Sequence, residues 1–511
     1  MAVLLLVTAS ILWFGQSGAA LQQHPFRTSL WKDNGAGESI AVDAGFESKG
    51  PKAQWITQPL DHFDAGYNKT WQQRYFVNSS FFDGTGPVFL CVGGEGTAIK
   101  SSVVTTGEVH CGLMMTMAAE KKALVFAVEH RYYGESVPTP DLSTKSLQWL
   151  SSRQALEDLS LFIVSMNEKY NLTSQNPWVS WGGSYPGMLA AWIRYKYPHL
   201  VYAAISSSAP VRAVANYQGY NDVVAYSLRA EDIGGSQDCL DSVRAAFAEL
   251  GLLLATPDNL RDVENQFNVC DQRGHPLDVA NNRKKLAEVA SMAFTFQEND
   301  MACNKPGCNI AKVCSVMTDE ARGQPLDRLA DMVALASGGY CVDVDDSADV
   351  RALTNTTLKG GKARVWFYQT CTEFGFYQTC DPDSHCPFTS KPWMSTLESW
   401  YAQCELAYGV QDTAARVPRS NAHYGGDRPA GSRILFANGE VDPWRAASIT
   451  TSLPHQPALV VKGASHHQWT HPPKPTDTAE VIEAREAITE QLNKWLDDMG
   501  NDDGRKPIDL I

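Results

Sequence analysis

Beyond its first twenty residues the chain has no long apolar run. A membrane-spanning helix needs about 20 mostly apolar residues, so no later segment is expected to cross a bilayer. Basic residues are too few for a nucleic-acid binder. Lys and Arg number 43 against 57 Asp and Glu, the net charge is −14, and no basic patch stands out. No C-x2-C pair occurs among the twelve cysteines, which argues against a zinc ribbon. No G-x-G-x-x-G and no Gly-Lys-Ser/Thr phosphate loop is present, which argues against a nucleotide cradle. There is no internal repeat and no long low-complexity tract.

What remains reads as a secreted globular chain. The N-terminus, MAVLLLVTASILWFGQSGAA, has an apolar core from Ala2 to Phe14 and then small residues that suit cleavage before Leu21. It lacks the Lys or Arg that usually opens a signal peptide, and an N-terminal anchor is the competing reading. Residues 1–20 are expected to be a signal peptide, and residues 21–52 a linker or propeptide. The cysteine count is even, and ten of the twelve fall between Cys239 and Cys404. Disulfides are the simpler expectation; zinc at Cys303, Cys308 and Cys314 is the alternative. N-x-S/T sequons at Asn68, Asn78, Asn171 and Asn355 are candidate glycosylation sites. The expected compartment is extracellular, lysosomal or vacuolar.

Short β-rich runs at 73–78, 86–94, 122–131, 177–183 and 202–210 are bounded by turn residues. Helical stretches at Gly112–Lys121 and Met188–Tyr197 alternate with them. That alternation predicts a mostly parallel sheet covered on both faces. From 211 to 420 the apolar spacing becomes helical, as in DSVRAAFAELGLLLA and RKKLAEVASMAFTF. The β signal resumes at RILFANG and PALVVKGAS, and an amphipathic helix ends the chain. An α/β domain over 53–210 and 421–511, interrupted by a helical, cysteine-rich cap over 211–420, is the expected architecture.

The chemistry gathers at the ends of three strands. WVSWGG runs into Ser184-Tyr185-Pro186-Gly187, a loose match to the strand-turn-helix elbow G-x-S-x-G that presents a nucleophilic serine. Pro186 stands where the second glycine belongs. A first helical turn tolerates it, because the missing N–H would be unpaired there; Gly187 is expected to relieve the ring. A serine needs a base and an orienting acid. Asp442 follows RILFANG, and His466-His467 follow PALVVKG, in the chain order Ser…Asp…His of α/β-hydrolases. Each alone has a bland alternative: a glycine-serine turn, a turn-former before proline, a surface histidine. The oxyanion donors would be the backbone N–H of Tyr185 and one from Gly94 or Glu95 in the GGEG loop. No metal or cofactor is expected.

Nine segments, GGEGT, EHRYYGES, GGSYPGMLAAW, SSAPVRAV, NDVV, IGGS, YQTCTEFGFYQTC, NGEVDPW and GASHH, keep their order over about four hundred residues. In them the chain resembles the prolyl carboxypeptidase and dipeptidyl peptidase II family of serine peptidases, nearest to its thymus-specific serine protease branch. The resemblance implies an α/β-hydrolase fold with a helical cap, Ser184 as nucleophile, Asp442 as orienting acid and His466, rather than His467, as base. It also implies a pocket for a proline ring at Met188, Phe376 and Trp444. The expected activity is a serine exopeptidase working through an acyl-enzyme, with preference for proline or a small residue near a peptide terminus. Carboxypeptidase and dipeptidyl modes both stay open. Glu95 and Glu129 are candidate anchors for a substrate's free amine. Endopeptidase, esterase and non-catalytic binding roles are the alternatives. The expected partners are peptide substrates and, at most, a second copy of the chain in a homodimer.

Overall fold

The computed structural model describes residues 50–501, apart from 108–109, 271–273, 296–298, 300–302, 304 and 389–391. The expected signal peptide and nearly all of the expected linker lie outside the described residues. The strands are β1 (Gln54–Pro59), β2 (Thr70–Asn78), β3 (Val88–Val92), β4 (Leu124–Val128), β5 (Trp178–Gly183), β6 (Ala203–Ser207), β7 (Val214–Asn216), β8 (Gly375–Tyr377), β9 (Ile434–Gly439) and β10 (Ala458–Val461). Eight of them form one sheet in the order β1-β2-β4-β3-β5-β6-β9-β10. The pairs β1–β2 and β2–β4 are antiparallel and the others parallel. This is an α/β-hydrolase fold.

Successive side chains of a strand face opposite ways. Val88, Leu90 and Val92 of β3 and Leu124, Phe126 and Val128 of β4 join one core. Phe89, Cys91, Val125 and Ala127 join the other. Both strands are buried throughout, which explains their unbroken apolar sequence. Helices Ser152–Tyr170 and Tyr185–Lys196 cover the first face. Helices Gly112–Glu120 and Ala479–Asn501 cover the second. Helix Ser152–Tyr170 has no counterpart among the elements expected from the sequence. Its apolar positions Leu156, Leu159, Phe162, Ile163 and Met166 keep helical spacing, and Ser151 caps its start by accepting from Gln154 N. Arg131, just after β4, pins this helix through Asp158, with Nε–Oδ2 at 2.6 Å and Nη2–Oδ1 at 2.7 Å, all buried.

Between β6 and β9 the chain is largely helical, including Gln218–Arg229, Gln237–Ala255, Ala280–Met292, Pro325–Ala336, Lys362–Gln369 and Leu397–Tyr408. One element departs from the expectation. β7 and β8 pair in parallel, Val214 opposite Gly375. At three residues each they are too short to show a period of two.

The twelve cysteines form six disulfides: Cys91–Cys111, Cys239–Cys314, Cys270–Cys341, Cys303–Cys308, Cys371–Cys404 and Cys380–Cys386. The zinc alternative at Cys303, Cys308 and Cys314 is thereby overturned, since all three sulfurs are in disulfides. Among the described residues no helix is long and apolar enough to cross a membrane.

Candidate active site

β5 and β6 end together, Gly183 opposite Ser207, while β9 runs past Ala437, the partner of Ser207, to Gly439 opposite Val461 at the end of β10. Ser184, Asp442 and His466 all lie just past carboxyl ends of this row, where ligands collect in open α/β sheets. Ser184 sits at φ 61°, ψ −132°, a conformation rare for a residue with a side chain. Two bonds hold it there: Ser184 N donates to Ser207 O at 2.9 Å, and Met188 N donates to Ser184 O at 3.0 Å.

The glycines around the serine are there for space. A Cβ at Gly182 would fall 2.2 Å from Pro186 O, and one at Gly183 would fall 2.9 Å from His110 Cβ. The Pro186 ring is accommodated from across the site. A Cβ at Gly94 would fall 2.4 Å from Pro186 Cγ and 2.5 Å from its Cδ. Gly187, expected to relieve the ring, instead faces Ala209 Cβ and Ser207 O, both at 3.0 Å. So the GGEG loop and the elbow are fitted to each other. Tyr185, at the first position of the helix, has an N–H without an intrahelical acceptor.

Asp442 is fully buried and uses both oxygens. Oδ1 accepts from Trp444 N at 3.0 Å, closing the turn before the Pro443 helix. Oδ2 accepts from His466 Nδ1 at 2.9 Å. The turn-former and the orienting acid are thus one residue. A proton on Nδ1 leaves the neutral imidazole with Nε2 as its acceptor. His467 does something else: its backbone N donates to Ser208 Oγ at 2.9 Å, and its ring lies against Gly183. Burial, with His466, His471 and His110 nearby, pushes its pKa well below the usual range.

Phe376 and Trp444 meet edge to face at 5.6 Å, and Trp444 lies 6.4 Å from the His466 ring. Tyr217 and Tyr220 complete the group, at 5.8 Å and 5.3 Å from Trp444. The sequence reading did not single out these two tyrosines; their only signal was a place just before the NDVV segment. Met188 sits one turn past Ser184 and is fully buried.

The two candidate amine anchors part company. Glu129 is buried and spoken for: Ile99 N donates to Oε1 at 2.9 Å, while Glu135 N and Ser136 Oγ donate to Oε2 at 3.0 Å and 2.8 Å. It braces the loop, and its role as an amine anchor is corrected on that ground. Glu95 keeps a buried Oε2 with no hydrogen-bond partner. Burial pushes its pKa up to about 8, against a weaker pull from its own backbone N–H.

Cys91, His110 and Cys111 lie close enough to hold an ion, but the two sulfurs are already joined to each other. Of the sequons, Asn68, Asn171 and Asn355 are exposed. Asn78 is half-buried, and its Nδ2, the atom a glycan would need, donates to Val104 O at 2.7 Å.

A buried serine elbow with a carboxylate-held histidine, on this sheet, defines a serine hydrolase of α/β-hydrolase fold. The family model described as serine carboxypeptidase S28 matches residues 58–488, and the chain belongs to that family of serine peptidases. It is 37% identical over 465 residues to the thymus-specific serine protease of Mus musculus, covering 88% of each chain. To the human protein of the same name it is 35% identical over 460 residues, covering 87% of each. To the lysosomal Pro-X carboxypeptidase of Bos taurus it is 27% identical over 467 residues, covering 87% of this chain and 88% of the relative.

Proposed function

We propose that the protein is a serine exopeptidase of the secretory pathway that cleaves peptides by acyl transfer through Ser184, His466 and Asp442. The observation that carries the reading is the His466 Nδ1–Asp442 Oδ2 bond at 2.9 Å, formed at the same sheet edge as the strained Ser184. Ser184 Oγ attacks the scissile carbonyl and passes its proton to His466 Nε2. Asp442 fixes the tautomer and supports the imidazolium. The N–H of Tyr185, with one from Gly94 or Glu95, holds the oxyanion. The leaving amine takes the proton from His466, and water then releases the acyl group by the same steps in reverse order.

The residue on the acyl side is read as proline or a small apolar residue, held against Phe376 and Trp444, with Met188 as the third apolar residue of the pocket. Flat rings at 90° suit a pyrrolidine ring. The name of the lysosomal Pro-X relative supports both that preference and an acidic compartment. Glu95 is the group read as meeting a peptide terminus, because its carboxylate has an unmet polar atom. A panel of short peptides with proline, alanine or lysine before the scissile bond, each with free and blocked termini, tests the reading. Cleavage after proline that stops when one terminus is blocked is expected. Equal cleavage of fully blocked peptides would make it an endopeptidase.

A further inference from the structure

Tyr185 has a second role that its backbone position does not require. Its side chain is fully buried, and the phenol sits within a chain of polar contacts that passes through Gln369 of the cap. Gln369 Nε2 donates to Tyr185 Oη at 2.9 Å, and Tyr133 Oη donates to Gln369 Oε1 at 2.6 Å. Tyr185 Oη meets His130 Nε2 at 2.9 Å, and His130 Nδ1 meets the Arg131 carbonyl at 2.7 Å. A carbonyl only accepts, so His130 carries its proton on Nδ1 and Nε2 must accept. Every proton in the chain is then assigned. Tyr133 donates to Gln369, Gln369 to Tyr185, Tyr185 to His130, and His130 to the backbone. The order runs one way, and reversing any member breaks a bond on either side.

We infer that Gln369 and His130 are positioning residues for the oxyanion site, acting through the phenol of Tyr185. The inference rests on the proposed acyl-transfer reading, which gives the Tyr185 N–H its task. The peptide plane between Ser184 and Tyr185 is set by the strained ψ of Ser184. Such a conformation lasts only where the surroundings over-determine it. The ring of Tyr185 is clamped by Trp366 at 5.3 Å and Phe374 at 5.5 Å, and its hydroxyl by Gln369 and His130. Fixing that side chain fixes the direction of its own N–H. Gln369 ends helix Lys362–Gln369, and the chain passes through Thr370–Phe374 to Phe376. One segment therefore reaches both the pocket wall and the oxyanion donor. Glu373, on the same turn, adds a longer contact to Gln369 Nε2 at 3.4 Å and is itself held by Ser152. Burial holds the His130 pKa down at about 4, which keeps the neutral tautomer in place at working pH.

The test uses the conservative change Gln369→Glu beside Gln369→Ala and Tyr185→Phe. An ionised carboxyl at 369 offers Tyr185 Oη a lone pair where it needs a donor. A protonated carboxyl restores both bonds, donating to Tyr185 and accepting from Tyr133. Tyr133, Tyr185, Glu373, His130 and Tyr424 are the titratable groups around it, with Glu95 acting on Tyr133 and Arg153 on Glu373, and Glu373 favours the protonated form. For Gln369→Glu we expect kcat, and the rate of fluorophosphonate labelling, near wild type at pH 5. Both should fall by roughly tenfold or more by pH 8, less than the 10²–10³ typical of losing an oxyanion donor outright. KM should move little. Gln369→Ala and Tyr185→Phe should show that loss at every pH, and the double variant should lose no more than either single. Wild-type rates in all the variants, or a loss in Gln369→Glu that ignores pH, would overturn the inference while leaving the peptidase reading in place. A folded wild-type protein that fails to label at all would remove the reading, and the inference with it.

Discussion

In the proposed reading Ser184, His466 and Asp442 carry the chemistry, and single substitutions test it. Ser184→Ala should abolish turnover with an unaltered fold, read by peptide hydrolysis beside circular dichroism. His466→Ala should do the same. His467→Ala should leave measurable activity, because its ring makes no bond to Asp442. The fit of Pro186 into Gly94 can be tested in the same way. Gly94→Ala drives a methyl into the proline ring, since the space is 2.4 Å. It should cost about 1–3 kcal/mol by overpacking and slow the enzyme, and Pro186→Ala should restore much of both. Thermal melts and kcat on the two single variants and the double would check this. Ser184, Asp442 and the His466-His467 pair could be picked out in the sequence, because each follows a strand-end motif in the expected chain order; the strand pattern left the two histidines equal, and only the family resemblance favoured His466. The mate of Pro186 was not legible there. Gly94 lies on another strand's loop, and only the folded sheet brings them together. Glu129 misled for the same reason: a carboxylate in a loop gives no sign that Ile99, Glu135 and Ser136 already hold it.

At the scale of elements, the sheet was readable because its central strands are buried on both faces and written as apolar runs. The helix Ser152–Tyr170 carried an equally clear pattern but has no chemistry to draw the eye. β7 and β8 could not be read, since their pairing crosses from residue 214 to residue 375. The closing helix, Ala479–Asn501, supports the face away from the cap through Ile488 and Leu492, both fully buried. Leu492→Ala should lower stability by about 2–5 kcal/mol and leave kcat unchanged, measured by denaturant unfolding beside hydrolysis. The Cys239–Cys314 bridge ties helix Gln237–Ala255 to Ile310–Met317 in the cap. Replacing both cysteines by alanine should lower stability by about 2–5 kcal/mol, seen as a lower Tm.

For the molecule as a whole, buried acids and buried histidines set opposing slopes of stability with pH. Burial raises Glu95 to about 8, Glu288 to about 7 and Asp346 to about 6. Such acids bind protons more tightly when folded, so their contribution is present below the unfolded pKa and lost as pH rises through 6 to 8. Burial lowers His110, His130 and His471 to about 4. Their contribution is lost as pH falls below the unfolded value of 6.5. Above pH 6.5 only the acids act, so Tm should fall from pH 6.5 to pH 8. Glu95→Gln should flatten part of that fall, and a Tm that rises steadily to pH 8 would contradict the sign. Whether Ser184 is an activated nucleophile is answered by site-mapped labelling. Purified protein is treated with a fluorophosphonate at pH 5 and the modified peptide is sequenced by mass spectrometry. One modification is expected, on Ser184, and it should be absent in His466→Ala. Labelling elsewhere, or none in a folded protein, would contradict the nucleophile role.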